Sequence, residues 1–176
     1  MSKNILVLSF LIILSACQSE PKVEIDNSAI TFFDLEAFFE KEIKDFPYQK
    51  IKKTVTLNGK AQTKELTDFD MKKELAIFIN SNINKSSWKD KYKVVETANQ
   101  ITYEATVEKL KIRKIIIDKD RGEVIKIRIS TNASQRIFTA EKELIYEPSK
   151  GYSIKNHQDV VASGETNMEI VVKFLK

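Results

Sequence analysis

The chain has 176 residues, 42% hydrophobic and 31% charged, with only four glycines and three prolines, which excludes a collagen-like or low-complexity chain and suits one folded domain. Lysine plus arginine (29) exceed aspartate plus glutamate (25) by only four, too small an excess for bulk charge to imply nucleic acid. One Cys and one His exclude an intrachain disulfide and a Cys/His zinc cluster.

The first element is an address. Lys3 gives a positive start, Ile5 to Leu14 is an apolar run, and Ser15 and Ala16 are a small-residue exit. The run of about ten residues is half of the roughly twenty that span a bilayer core, so the pattern is that of a secretory signal peptide. Leu14-Ser15-Ala16-Cys17 resembles the bacterial lipoprotein lipobox. The resemblance implies a signal peptide over 1–16 and a lipidated Cys17 at the mature N-terminus. Several acyl chains would then hold the protein on a membrane, each buried methylene contributing about 0.8 kcal/mol. Gln18 stands where that family's inner-membrane retention signal carries Asp, which implies the outer membrane, in either the periplasmic or the surface-facing leaflet. Residues 17–30 read as a lipidated tether, polar and aperiodic with Pro21.

A single α+β domain is expected over 31–176. Thr31 followed by Asp34 resembles a capping box, and Leu35, Phe38, Phe39, Ile43 and Phe46 recur at helical spacing until Pro47. Lys50 to Leu57 alternates into Asn58-Gly59, a two-residue hairpin signal. That loop sets Leu57 against Lys60, Val55 against Gln62 and Ile51 against Leu66. Thr67 and Asp70 repeat the capping arrangement ahead of a second helical stripe, Met71, Leu75, Phe78 and Ile79. From Tyr92 the period changes to two. Turns are expected at Lys119–Gly122, Asn132–Ser134, Pro148–Gly151 and Ser163-Gly164. Ile115-Ile116-Ile117 interrupts the alternation and predicts a central strand covered on both faces. The whole reads as a curved antiparallel meander sheet of about nine strands with two helices packed on it.

Little in the chain carries chemistry. His157 lies at a strand end with Asp159 on the same parity and Ser153 and Ser163 nearby, but no nucleophile elbow frames it, and a solvated histidine is the better account. No phosphate-cradling loop or dinucleotide fingerprint is present, and no cofactor is implied. Lys111, Arg113, Lys126 and Arg128 could meet on one face and contact anionic headgroups; a face balanced by neighbouring acids is favoured. Aromatic platforms are absent among these charges, so nucleic acid is not expected as a partner.

The runs Phe33–Ile43, Lys53–Lys60 and Phe78–Asp90 together resemble a group of uncharacterised outer-membrane lipoproteins of Bacteroidota. This resemblance supports the address and supplies no activity. The leading expectation is a non-enzymatic, lipid-anchored envelope protein that binds an envelope protein partner, with Trp88 as a candidate interface anchor. The alternative is a lipid or amphiphile carrier. Its apolar cavity between sheet and helices would be lined by Phe38, Phe39, Phe78, Ile125, Ile127, Phe138 and Tyr146. The two readings use the same residue types, because a cavity wall and a packed core are equally apolar.

Overall fold

Two-residue alternation requires one wet and one covered face. A computed structural model of the protein, describing residues 23–24 and 32–176, realises it as a single open antiparallel sheet. Its strands are β1 (Val23–Glu24), β2 (Lys50–Leu57), β3 (Lys60–Leu66), β4 (Tyr92–Glu96), β5 (Gln100–Ala105), β6 (Ile112–Asp120), β7 (Glu123–Gln135), β8 (Phe138–Glu147), β9 (Gly151–Val160) and β10 (Gly164–Leu175). The spatial order is β1-β4-β5-β6-β7-β8-β9-β10-β2-β3. Strands β4 to β10 are the expected meander, and the β2–β3 hairpin docks against the last strand of the chain. The hairpin has the register its turn dictates, with Leu57 opposite Lys60, Val55 opposite Gln62 and Ile51 opposite Leu66. Asn58 and Gly59 both take positive φ, 46° and 81°, as the primed turn demands.

Two helices, α1 (Leu35–Lys44) and α2 (Met71–Ile79), lie on one face of the sheet. Both begin three residues later than a capping box would place them. The side chain of Asp34 accepts from the backbone N–H of Ala37, and that of Asp70 accepts from Lys72 and Lys73. The aspartates are themselves the N-caps, since a short carboxylate reaches the first-turn amides directly. Leu35 and Phe39 from α1, with Met71, Leu75 and Phe78 from α2, are buried against Ile51, Tyr146, Tyr152, Val172 and Phe174 of the sheet.

Two expectations are corrected. Asn132 to Ser134 do not turn: they continue β7, paired with Glu141 to Thr139 of β8, and the turn falls at Arg136-Ile137. A polar Asn-Ala-Ser run suits a strand whose end extends past the helices into water. Ile115 and Ile117 are buried under the helices, but Ile116 points to the other face and is half-exposed. β6 is therefore central without being covered twice.

The helix-free face has its own order. Cross-strand partners build a transverse row Val95–Thr102–Ile116–Arg128–Ile145–Ser153–Val171–Thr54 from β4 to β2. Beside it runs a row of alternating sign: Lys93, Glu104, Lys114, Ser130, Glu143, Lys155, Glu169. Ion pairs close across this face at Lys114–Glu104 (3.6 Å), Lys155–Glu169 (3.8 Å), Lys126–Glu147 (3.4 Å) and Arg128–Asp118 (2.9 Å). Opposite charges placed directly across strands stabilise the pairing, and their long stems shield the half-buried aliphatic row between them. Water is the natural cover of this face.

Candidate functional site: an aromatic groove at the feet of the helices

The residues proposed for an internal cavity divide into two groups. Phe39, Phe78, Ile127 and Tyr146 are fully buried, and the three rings contact one another: Phe39–Tyr146 at 4.9 Å, Phe39–Phe78 at 5.4 Å and Phe78–Tyr146 at 6.0 Å between centroids. Phe38 is half-buried and meets Tyr146 edge-on at 6.2 Å. These side chains fill the space between helices and sheet. Ile125 and Phe138 do not belong with them. Ile125 is 49% exposed near the start of β7, and Phe138 is half-exposed at the start of β8, at the opposite end of the paired strands. The reason is length. Helices of ten and nine residues cover about 15 Å, whereas strands of ten to thirteen extend over about 33 to 43 Å, so the strand ends project beyond the helical layer.

The interior is also pinned by polar contacts that the sequence did not announce. The Tyr146 hydroxyl donates to Glu42 of α1 at 2.7 Å. The hydroxyl of Tyr152, its neighbour across the β8–β9 pair, donates to Glu74 of α2. Glu74 is held from the other side by Lys53 Nζ at 2.8 Å and 2.9 Å. Each helix thus lowers one glutamate onto one sheet tyrosine. Burial, reinforced by the glutamate, raises both tyrosine pKa values.

Open apolar surface occurs instead at the feet of the helices. There the C-terminal end of α1, the 46–49 segment, the 67–70 segment and the start of α2 enclose a groove of about 870 Å³. Phe46, Tyr48 and Phe69, all half-buried, form its wall. The rings brace one another, with Phe46–Tyr48 at 5.2 Å and Phe46–Phe69 at 6.0 Å, and they rest on Phe174 at 4.9 Å and 5.5 Å. Pro47 breaks α1 here, and the Tyr48 hydroxyl donates to the carbonyl of Ser149 at 3.1 Å, which fixes the segment to the β8–β9 turn. Lys50 and Lys72 stand on the rim, as does the cap Asp70, whose pKa is lowered chiefly by the Lys73 backbone N–H. Preorganised aromatic faces beside cationic stems suit a partner's apolar side chain with a nearby acid. The helical stripe Phe38–Phe39–Ile43–Phe46 reads as core throughout, so only the break at Pro47 hinted that its last ring would open to solvent.

The remaining candidates sit elsewhere. His157 is exposed on the helix-free face; its Nδ1 lies 2.8 Å from Asn167 Oδ1, and it borders a shallow depression of about 410 Å³ with Glu141, Glu143 and Lys155. No hydroxyl among the described residues bonds to it, and Ser163 lies in the β9–β10 turn, so no nucleophile–base pair is assembled. No group of three or more His, Cys, Asp or Glu side chains among the described residues is placed to hold a metal ion. Trp88, half-buried in a short 3₁₀ turn (Ser86–Trp88), rests against Tyr92 with Lys85 Nζ 4.2 Å above its ring. The four basic residues that could have met on one face are separated, and two of them are balanced by acids as favoured. Lys126 and Arg128 are neutralised by Glu147 and Asp118, while Lys111 and Arg113 flank a different depression. Cys17 lies outside the described residues, and no described helix is long and apolar enough to cross a membrane. No family model, curated protein or solved structure matches the chain.

Proposed function

We propose that the protein is a non-enzymatic, lipid-anchored component of the bacterial outer membrane that binds an envelope protein through the aromatic groove at the feet of its helices. The observation that carries this reading is the wall of Phe46, Tyr48 and Phe69, solvent-accessible where the Phe39, Phe78 and Tyr146 cluster is closed. A rigid ring in an open groove loses little entropy on binding, which is what makes aromatic residues strong anchors. The carrier alternative has less support, because the rings of Phe39, Phe78 and Tyr146 would have to part to admit an acyl chain. The test is a photo-crosslinking amino acid at position 69 in the producing bacterium, with position 125 as control. A discrete protein adduct at 69 that disappears in Phe46→Asp is the expected result. No adduct at 69, or equal adducts at both positions, removes the groove from the reading. The address is tested separately: Cys17→Ser must abolish acyl labelling, and unchanged labelling refutes the anchor.

A further inference from the structure

In an antiparallel meander, alternate turns share a rim. The β2–β3 turn (58–59), the β5–β6 connection (106–111), the β7–β8 turn (136–137) and the β9–β10 turn (161–163) therefore lie along one end of the sheet. Among the described residues, five large aliphatic side chains stand out as exposed, and four of them are on this rim: Leu57 (50%), Val107 (36%), Ile137 (63%) and Val161 (82%). Ile137 and Val161 are adjacent, since the Val161 N–H donates to the Ile137 carbonyl at 3.1 Å. The fifth, Ile125, is at the other end.

The same rim holds several basic side chains without an ion pair among the described residues. Lys114, Lys126, Arg128 and Lys155 each have a carboxylate within 4 Å. Lys109, Lys111 and Arg136 have none among the described residues, and Arg113 donates to the carbonyl of Val107 at 2.6 Å. Lys109, Lys111 and Arg113 line an open depression of about 690 Å³ together with Asn132 and Ser134. Arg136 adjoins it at the tip that exposes Ile137. Glu108 is the only acid among the described residues lining that depression.

We propose that this rim is a seat for a lipid bilayer bearing anionic headgroups. Ile137 and Val161 would enter the headgroup–acyl boundary, and Lys109, Lys111, Arg113 and Arg136 would meet the phosphates. Charge complementarity selects this occupant: aliphatic tips alone would suit many surfaces, but the Ile137 tip beside Arg136 and the Lys109, Lys111 and Arg113 depression suits an anionic interface, with the Asp159–Glu165 pair by Val161 limiting the phosphate contact to the Ile137 side. The hydroxyl of Ser134 adds a donor for phosphate oxygens, whereas the Asn132 amide donates to Glu141 at 3.3 Å. The inference stands on the rim's own chemistry and does not require Cys17 to be acylated.

The test uses the full chain in vesicles of phosphatidylcholine alone or mixed equally with phosphatidylglycerol, each lipid brominated along its acyl chains. Tryptophan is placed by Ile137→Trp, Val161→Trp or Ile125→Trp, each combined with Trp88→Phe. With phosphatidylglycerol present, emission at 137 and 161 should fall at least twofold, and emission at 125 should stay constant. Each cation near an anionic surface multiplies partitioning by about fivefold, so the triple variant Lys109→Gln, Lys111→Gln, Arg136→Gln should restore most of the emission, as should high salt. Flotation in pure phosphatidylcholine reports the N-terminal anchor by itself, so its failure is read apart from failure of the rim. Absence of quenching at 137 and 161, or quenching equal to that at 125, overturns the proposal and leaves an acidic protein surface as the occupant to examine.

Discussion

Tyr146 and Tyr152 face each other across β8 and β9, and each is bonded to a glutamate from a different helix. Tyr152→Phe removes one hydrogen bond while leaving Glu74 with Lys53, and should cost about 1 kcal/mol. Glu74→Ala strands both Lys53 and the Tyr152 hydroxyl in a part-buried setting, and should cost about 2 kcal/mol or more; the denaturant midpoints of the two variants measure the difference. These tyrosines also set an alkaline limit. Burial pushes Tyr92 up to about 12 and raises Tyr103, and burial with the glutamate bonds raises Tyr146 and Tyr152, all from an ordinary value of 10.0. Because the folded state holds these protons more tightly, their stabilisation is complete below pH 10. It is lost as pH rises above 10, where the unfolded chain ionises and the native one does not. In a Tyr48→Phe background, which removes the fifth tyrosine, tyrosinate absorbance should therefore rise together with unfolding on an alkaline titration; a rise near pH 10 in a chain that stays folded would refute this. Gly151 marks a further constraint. It sits in β9 at φ 142°, and a Cβ there would lie 1.9 Å from the Val172 carbonyl oxygen. Gly151→Ala should destabilise by about 3 kcal/mol or more, or prevent folding, as read by the yield and thermal midpoint of the variant.

At the level of elements, the two aspartate caps separate what a motif suggests from what geometry uses. Asp34→Ala or Asp70→Ala should each lower stability by about 1 kcal/mol. Thr67→Ala, at the position a capping box would assign, should change it little, and urea denaturation of the Asp70 and Thr67 variants decides between the assignments. The hairpin was fully legible, register included, because Asn-Gly permits few geometries and a slip of one residue would turn Ile51 out of the core. The turn is also fastened sideways: Asn58 donates its N–H to the Asn167 carbonyl at 2.8 Å and accepts the Asn167 N–H on its Oδ1 at 2.9 Å. That tie was not legible, since 109 residues separate the pair. The end of β7 was misread for a related reason. Asn132, Ala133 and Ser134 carry turn-type composition, yet pairing with β8 overrides local preference where the strand leaves the helical cover.

For the whole molecule, periodicity announced which residues turn inward, but not how far two short helices cover a wide sheet. The four buried members of the expected lining, Phe39, Phe78, Ile127 and Tyr146, were legible as apolar interior; that they close on each other depends on ring orientations that period alone does not encode. The groove lay beyond reach for the same reason. Phe46 and Phe69 come from segments 23 residues apart and meet only because the C-terminal end of α1 and the start of α2 lie together. Truncation distinguishes the two regions. Phe39→Ala, at 0% exposure, should cost about 3 to 5 kcal/mol through the cavity it leaves. Phe69→Ala, half-exposed in the groove, should cost about 1 kcal/mol and act mainly on adduct formation at that site, as thermal midpoints and crosslinking yields would show. The alternating charges of the helix-free face spread over separate strands as single lysines and glutamates, and become a pattern only once the register aligns them.

Strand β1 is only two residues long, yet with an acylated Cys17 it would fix the reach of the whole domain. Val23 pairs with Glu96 and Glu24 with Val95, so the chain upstream departs from the outer edge of β4. Six peptide units join Cys17 to Val23, a contour of at most about 21 Å. If β1 peels away, the contour from Cys17 to Phe32, the next described residue, is at most about 50 Å. With acyl chains on Cys17, the paired state would hold the domain against its own leaflet and confine its search to two dimensions. Partners in the same membrane would then be met at a high effective concentration, whereas partners across the periplasm would remain out of range until two residues unzip.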